Sequence, residues 1–187
     1  FNMSLTKTPI CDFGKKAETF KLKSTDGSII SLDDIKGKNG TLVMFICNHC
    51  PYVKAVINDI VQDCNSLKEI GVNSVAICSN DVVNYPEDSF DKMQKFSKEN
   101  KFSFPYLHDE NQDVAKKFNA VCTPDFFGYN SKLELQYRGR IRELKDLKPV
   151  SLGESDLKKA MVEIAKSGNG PKNQIPSMGC NIKWIKN

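Results

Sequence analysis

The chain has 187 residues, enough to bury a core of its own, and 40% of them are hydrophobic and 27% charged. That balance excludes a disordered chain and a membrane-embedded one. The net charge of +4 comes from lysines scattered among Asp and Glu, a solvated surface rather than a nucleic-acid footprint. No apolar run approaches the ~20 residues that cross a bilayer, so neither a membrane nor a nucleic acid is an expected partner. Residues 1–8 lack a basic start followed by an apolar block, so no secretory leader is expected. Met3 reads as the natural start, after Phe1 and Asn2. The seven cysteines, Cys11, Cys47, Cys50, Cys64, Cys78, Cys122 and Cys180, are odd in number and widely spread. That argues for a reducing, cytoplasmic setting with one catalytic pair rather than a disulfide scaffold.

In chain order, residues 20–23 and 28–32 alternate as short strands around Asp26-Gly27, a dipeptide that signals a hairpin with both central residues at positive φ. One helical turn over 33–36 follows. Residues 41–46 (Thr-Leu-Val-Met-Phe-Ile) are nearly all apolar and read as a central strand covered on both faces. Helical spacing of Val53, Val56, Ile57, Ile60, Val61, Leu67 and Ile70 predicts one long helix over 51–70, stopped at Gly71. A second buried strand is expected over 72–78. Pro86-Glu87-Asp88 looks like the acidic first turn of a helix that runs to about residue 99.

A strand over 104–107, a helix over 112–118 and two strands, 125–129 and 133–137, joined by Asn130-Ser131-Lys132, come next. An amphipathic helix spans 155–166, with Leu157, Met161, Ile164 and Ala165 on one face, and Gly168-Asn169-Gly170-Pro171 ends it. This order predicts an α/β fold with a mixed central sheet flanked by helices and an N-terminal β-hairpin. No linker or repeat divides the chain, so residues 1–187 read as one domain with an irregular tail, 169–187, packed on it.

Cys47-Asn48-His49-Cys50 lies where a buried strand gives way to a helix. A helix N-terminus offers unpaired N–H groups and partial positive charge, which favour a thiolate. Cys47 is expected at the helix mouth, the more exposed sulfur and the nucleophile. Cys50, one turn inside, would attack the resulting mixed disulfide and release the partner. A protonated His49 between them would further favour the thiolate. Pro51 suits the first helical turn. Downstream, Thr123-Pro124 enters a strand from a loop and is a candidate cis bond; in that form the Thr123 backbone could pair with an extended substrate segment beside Cys47.

These features resemble the redoxin group that joins thioredoxins to the AhpC/TSA peroxiredoxins, over roughly residues 17–141. The resemblance rests on Ala-Glu-Thr-Phe-Lys-Leu at 17–22, Asp26-Gly27, Ser31-Leu32, Lys36-Gly37-Lys38 and Phe45-Ile46-Cys47-Asn48-His49-Cys50-Pro51. Phe104-Pro105-Tyr106-Leu107, Asp109, Thr123-Pro124, Phe127 and Tyr137-Arg138-Gly139 extend it. Gly179-Cys180-Asn181-Ile182-Lys183-Trp184 is similar to the ending of a subgroup with the same Cys-Asn-His-Cys-Pro turn. The resemblance implies a thioredoxin-like fold with a nucleophilic Cys47 and a resolving Cys50. Three departures stand out. Ile46 replaces the Trp usual before the first cysteine, Thr41 stands where thioredoxins bury an acid, and no Pro-x-x-x-Thr-x-x-Cys precedes Cys47.

The expected function is thiol–disulfide exchange on protein or small-molecule disulfides, with an upstream thiol reductant and no cofactor or bound metal. A thiol peroxidase acting on peroxide, with Cys47 peroxidatic and Cys50 resolving, is the alternative within the same fold. A copper-binding module using Cys47, His49 and Cys50 belongs to another class, and a catalytically inactive binding scaffold to a fourth. Cys64 and Cys78 read as core residues, Cys11 as a loose surface thiol, and Cys122 and Cys180 as packing residues with a conceivable redox role. The Ile182 and Trp184 side chains are expected to anchor the tail. With His49 inside the pair, equilibration against glutathione buffers should give a potential above about −270 mV, the thioredoxin value. A value at or below it would reject the role given to His49.

Overall fold

The computed structural model describes residues 4–187; Phe1, Asn2 and the expected start, Met3, lie outside them. In chain order the elements are β1 (Leu5–Lys7), β2 (Lys21–Ser24), β3 (Ile29–Ser31), α1 (Leu32–Ile35), β4 (Gly40–Phe45), α2 (Pro51–Lys54), α3 (Ile57–Lys68) and β5 (Val72–Cys78). A 3-10 turn (Pro86–Asp88) precedes α4 (Phe90–Glu99), β6 (Tyr106–His108), α5 (Asp113–Phe118), β7 (Cys122–Thr123), β8 (Asp125–Tyr129) and β9 (Leu135–Tyr137). The chain ends with β10 (Leu144–Lys145), β11 (Lys148–Pro149), α6 (Asp156–Ser167) and β12 (Met178–Asn181).

The central sheet has the order β3-β2-β6-β5-β4-β8-β9. β4, β5 and β6 run parallel, and the other neighbours are antiparallel. It is the α/β mixed sheet expected, with β2 and β3 as the N-terminal hairpin. The apolar run of β4 follows from burial on both faces. Leu42, Met44 and Ile46 pack with Val53, Ile57, Ile60 and Leu67 of α2 and α3 and Leu157, Met161 and Ile164 of α6. Val43 and Phe45 face Phe118, Phe127 and Ala115 on the other side, with the rings of Phe45 and Phe118 edge to face at 5.5 Å.

Several expectations need correction. Only Gly27 of the hairpin turn has positive φ (+89°). Gly27 N–H bonds the Ser24 carbonyl, and the Asp26 carboxylate accepts from Ser28 N–H at 2.9 Å, so Asp26 caps the turn locally without leaving ordinary backbone space. The helix expected over 51–70 breaks at Val56 (φ −120°, ψ 5°), where two β-branched residues, Val56 and Ile57, adjoin and helix propensity is weakest. The helix expected from residue 86 restarts at Ser89, whose side chain caps α4 by accepting from Lys92 N–H. Asp88 is thereby turned inward, and it is fully buried.

The tail is less irregular than expected. β12 joins a second, three-stranded sheet in the order β1-β12-β7, pairing Cys180 with Leu5 on one side and with Thr123 on the other. Alternation is illegible in so short a strand, and its partners lie far away in sequence. Ile182 is buried as expected, but Trp184 is 38% exposed and does not anchor the tail. Instead Lys183 does so through its backbone. Its N–H bonds Asn80 Oδ1, and its carbonyl accepts from Asp81 N–H and Gln112 Nε2.

Behind Pro124, Arg138 holds Asp125 in a two-pronged ion pair, Nε to Oδ1 at 3.0 Å and a terminal nitrogen to Oδ2 at 2.9 Å, with both residues buried. Asp125 also accepts from Val121 N–H, so the pair braces the loop that leads into β8. Removing one partner strands a buried charge, which typically costs about 3–5 kcal/mol. Arg138→Met should therefore lose about that much in urea unfolding, and Asp125→Leu combined with Arg138→Met should lose markedly less. Equal losses would show that the pair does not carry the loop.

Candidate active site

The sheet and its loops bring Cys47, His49, Cys50, Pro51, Thr123 and Pro124 together at the C-terminal end of β4. The Thr123–Pro124 bond is cis. The Thr123 hydroxyl lies 3.5 Å from Cys47 Sγ, and its carbonyl is 3.4 Å from Cys50 Sγ, placed to accept the S–H. The Cys47 and Cys50 sulfurs are hydrogen-bonded to each other. No disulfide is present among the described cysteines.

Two local expectations are overturned. Pro51 has no N–H to lose and takes the first helical position, so the helix begins one residue after Cys50. Cys50, not Cys47, is its N-cap. Nor is Cys47 the exposed member, because Cys47 is 1% and Cys50 0% exposed. β12 on one side and the loop that carries Asp88 on the other close over the pair.

The electrostatics follow this placement. The Cys50 thiol is drawn down to about 5, first by the hydrogen bond from Cys47, against burial, with further bonds from Cys180 and Thr123. Burial pushes the Cys47 thiol well up, and its donation to Cys50 and the nearby Asp88 charge act the same way. The hydrogen bond between the sulfurs thus favours the Cys50 thiolate and the Cys47 thiol. Cys64, Cys78 and Cys122 are buried with thiols pushed up by desolvation, Cys64 to about 12. Cys122 directs its sulfur to the Pro124 carbonyl at 3.6 Å, a packing role. Cys11 is half-buried rather than loose, its thiol raised to about 11 by burial and bonded to Gln174.

Asp88 is the residue that the sequence concealed. One oxygen accepts from Asn48 N–H at 2.8 Å; the other accepts from Asn80 Nδ2 at 2.9 Å and lies 2.6 Å from His49 Nδ1. The Asn48 side chain is held in turn by the Tyr106 hydroxyl at 2.7 Å and by the Glu87 carbonyl. The Tyr85 ring stacks parallel to the imidazole, 6.1 Å away. Asp88 therefore supplies the buried acid that Thr41, wholly buried and bonded to Gly37 N–H, cannot supply. It reaches the pair from the loop after β5 instead of from β4. Among the described residues the candidate ligand atoms that lie within 4.8 Å of one another are those of Cys47, His49 and Asp88, whereas the set read from sequence is Cys47, His49 and Cys50. No helix among the described residues is long and apolar enough to cross a membrane.

A parallel-centred mixed sheet, a Cys-x-x-Cys turn at the end of its middle strand and a cis-Pro loop facing both sulfurs define a thioredoxin-fold protein of the redoxin kind. The AhpC/TSA family matches residues 13–144, and the chain belongs to that family. Two solved structures match along the whole length. They are an uncharacterized conserved protein from Geobacillus kaustophilus (38% identity, TM-score 0.94, all of both chains) and a hypothetical protein from Sinorhizobium meliloti (32%, 0.90, 98% of this chain and 100% of the other). A relative from Coxiella burnetii named "Putative peroxiredoxin bcp" is 25% identical over 65% of this chain and 75% of its own. A thiol:disulfide interchange protein from Chlorobium tepidum, at 18% identity and TM-score 0.62 over 81% of this chain and 96% of its own, shares the fold.

The hydrogen bond to Asp88 raises the His49 pKa above its ordinary 6.5, against the effect of burial. A folded-state pKa raised in this way adds stability that is fully present below about 6.5 and is lost as pH rises through the folded value. NMR titration of His49 should show that raised midpoint, and Asp88→Asn should lower it and flatten the corresponding fall in stability. An unchanged midpoint in the variant would separate Asp88 from the titration.

Proposed function

We propose that the chain is a thiol–disulfide oxidoreductase working through Cys47 and Cys50, with Thr123 and the cis Pro124 supporting the pair and His49 and Pro51 shaping its turn. The observation that carries this reading is the hydrogen bond that the Cys47 S–H makes to the Cys50 sulfur, with the Thr123 hydroxyl against one sulfur and its carbonyl against the other. Passage of that proton from Cys47 to Cys50 leaves Cys47 ionised and lets the Cys50 S–H bond the Thr123 carbonyl. Cys47 then attacks a substrate disulfide; a bond forms from Cys47 to one substrate sulfur, and the other leaves as a thiolate. Cys50 gives up its proton, attacks the Cys47 sulfur and expels the second substrate thiolate, leaving a Cys47–Cys50 bond for an upstream thiol to reduce.

The extended-substrate edge expected at Thr123 is already taken by Cys180 of β12. Together with the burial of both sulfurs, this favours a small disulfide over an unfolded polypeptide as substrate. The same burial favours the second reading, peroxide reduction, since a peroxide is smaller still. There Cys47 would become a sulfenic acid while the peroxide is reduced, hydrogen peroxide to water or an alkyl peroxide to its alcohol, and Cys50 would condense with the sulfenic acid and release water. Against that reading, Arg138, behind the cis-Pro loop, is committed to Asp125, and Arg140 and Arg142 are paired with Asp156 and Asp59.

Turnover of hydroxyethyl disulfide with a dithiol reductant should be measurable, should decline as pH falls through about 5, where Cys50 takes up a proton, and should drop on the order of a hundredfold or more in Cys47→Ser. Cys50→Ser should accumulate a mixed disulfide on Cys47. Saturable consumption of hydrogen peroxide, without disulfide turnover, would replace the first reading by the second.

A further inference from the structure

The region around the pair contains a third sulfur that the mechanism above does not use. Cys180 is 3% exposed. Its thiol donates to the Cys50 sulfur, and the Cys180 sulfur itself accepts from the backbone N–H of Tyr52, on the first turn of α2. Cys50 thus stands between Cys47 and Cys180, within hydrogen-bond reach of each. The backbone that delivers Cys180 is held from several sides. Its strand pairs residue 180 with Thr123 and residue 181 with Cys122, and on the outer side with Leu5. Ser177 Oγ bonds the Pro124 carbonyl at 2.7 Å, and Ile182 N–H bonds the Val121 carbonyl. At Gly179 an added Cβ would lie 2.0 Å from the Thr123 carbonyl oxygen. Only glycine allows the strand to come this near, and the approach is what sets the next residue's sulfur against Cys50.

We propose that Cys180 is a third redox thiol, which takes over Cys50 from the Cys47–Cys50 bond. The proposal rests on the oxidoreductase reading. Once substrate has been reduced, the Cys180 thiolate attacks the Cys50 sulfur. The Cys50–Cys180 bond forms as the Cys47–Cys50 bond breaks, and Cys47 leaves as the thiolate. The exchange is redox-neutral, and the proton lost from Cys180 is matched by one taken up at Cys47. Cys47 is returned as a free thiol while the oxidising equivalent waits at the base of the β12 strap. Burial and the donation to Cys50 raise the resting Cys180 thiol to about 12; that donation ends once Cys50 is held in a disulfide, and the positive charge of Lys183, three residues on, acts the other way, toward the thiolate the step requires.

The full chain carrying Cys47→Ser, treated with oxidised glutathione, tests the step. Glutathione should couple to Cys50, and Cys180 should then displace it. The result would be a protein with two fewer thiols, no retained glutathione and a peptide containing Cys50 crosslinked to one containing Cys180 in non-reducing digests. Cys47→Ser combined with Cys180→Ser should instead keep the glutathione adduct. A stable adduct at Cys50 in the single variant, with Cys180 still reduced, would overturn the proposal. Wild-type protein oxidised in parallel and quenched with acid distinguishes the two readings and does not depend on the variant's folding. A Cys47–Cys50 bond without any Cys50–Cys180 bond leaves the oxidoreductase reading intact and rejects the relay. Absence of both bonds rejects the oxidoreductase reading itself.

Discussion

Thr123 is the point on which the site depends. Its hydroxyl meets one catalytic-candidate sulfur, its carbonyl meets the other, and its backbone is the rung on which the C-terminal strand is mounted. These contacts require the chain to reverse sharply at Pro124 and to enter β8 at a set height beside β4. The Asp125–Arg138 pair, immediately beyond, supplies that height from within the core. A buried ion pair is weak evidence for stability in general. Here it joins the start of β8 to the end of β9 and the loop after α5, where Arg138 also bonds the Asn119 carbonyl. Its value lies in placement.

On the opposite side the turn itself is tied by Asp88. A carboxylate with no exposed surface accepts from the Asn48 backbone and the Asn80 side chain and faces the His49 ring. Such a group is tolerated because its lone pairs are met. It changes the meaning of His49. An isolated imidazolium beside the pair would act as a positive charge on the thiolate, whereas one paired with a buried carboxylate presents a nearly neutral unit. The depressed thiol therefore owes its acidity mainly to sulfur and hydroxyl donors around Cys50, not to the histidine.

The three-stranded sheet ties both ends of the chain to the site. β1 and β12 are separated by most of the sequence, yet they meet at Leu5 and Cys180 and cover the edge of β7. An uncovered edge next to reactive sulfurs would invite pairing with other chains. The cover closes that edge and, by the same act, puts a third sulfur in contact with Cys50. Restricting access and supplying a further thiol are consequences of one strand pairing.

Composition and period alone determined the central sheet and the helices that flank it, and they singled out Cys47 and Cys50 as the candidate pair. The reason is that β4 is apolar on both faces, the helices carry stripes at 3.6-residue spacing, and Cys-x-x-Cys next to a strand end is local information. Local patterns also put Pro51 in a first helical turn, but the step from that to Cys50 as the N-cap needed the backbone. Asp88 shows the limit. In sequence it is one acid of a Pro-Glu-Asp helix start, and it becomes a buried anchor only because Ser89 restarts the helix and turns the carboxylate toward Asn48 and His49, residues some forty positions earlier. The partner of Thr123 was likewise beyond reach, since pairing between residues 123 and 180 depends on how the whole sheet brings a short, patternless segment back to the site. Tertiary structure alone decided which sulfur is stabilised, because that depends on donors contributed by three separate segments, those of Cys47, Thr123 and Cys180.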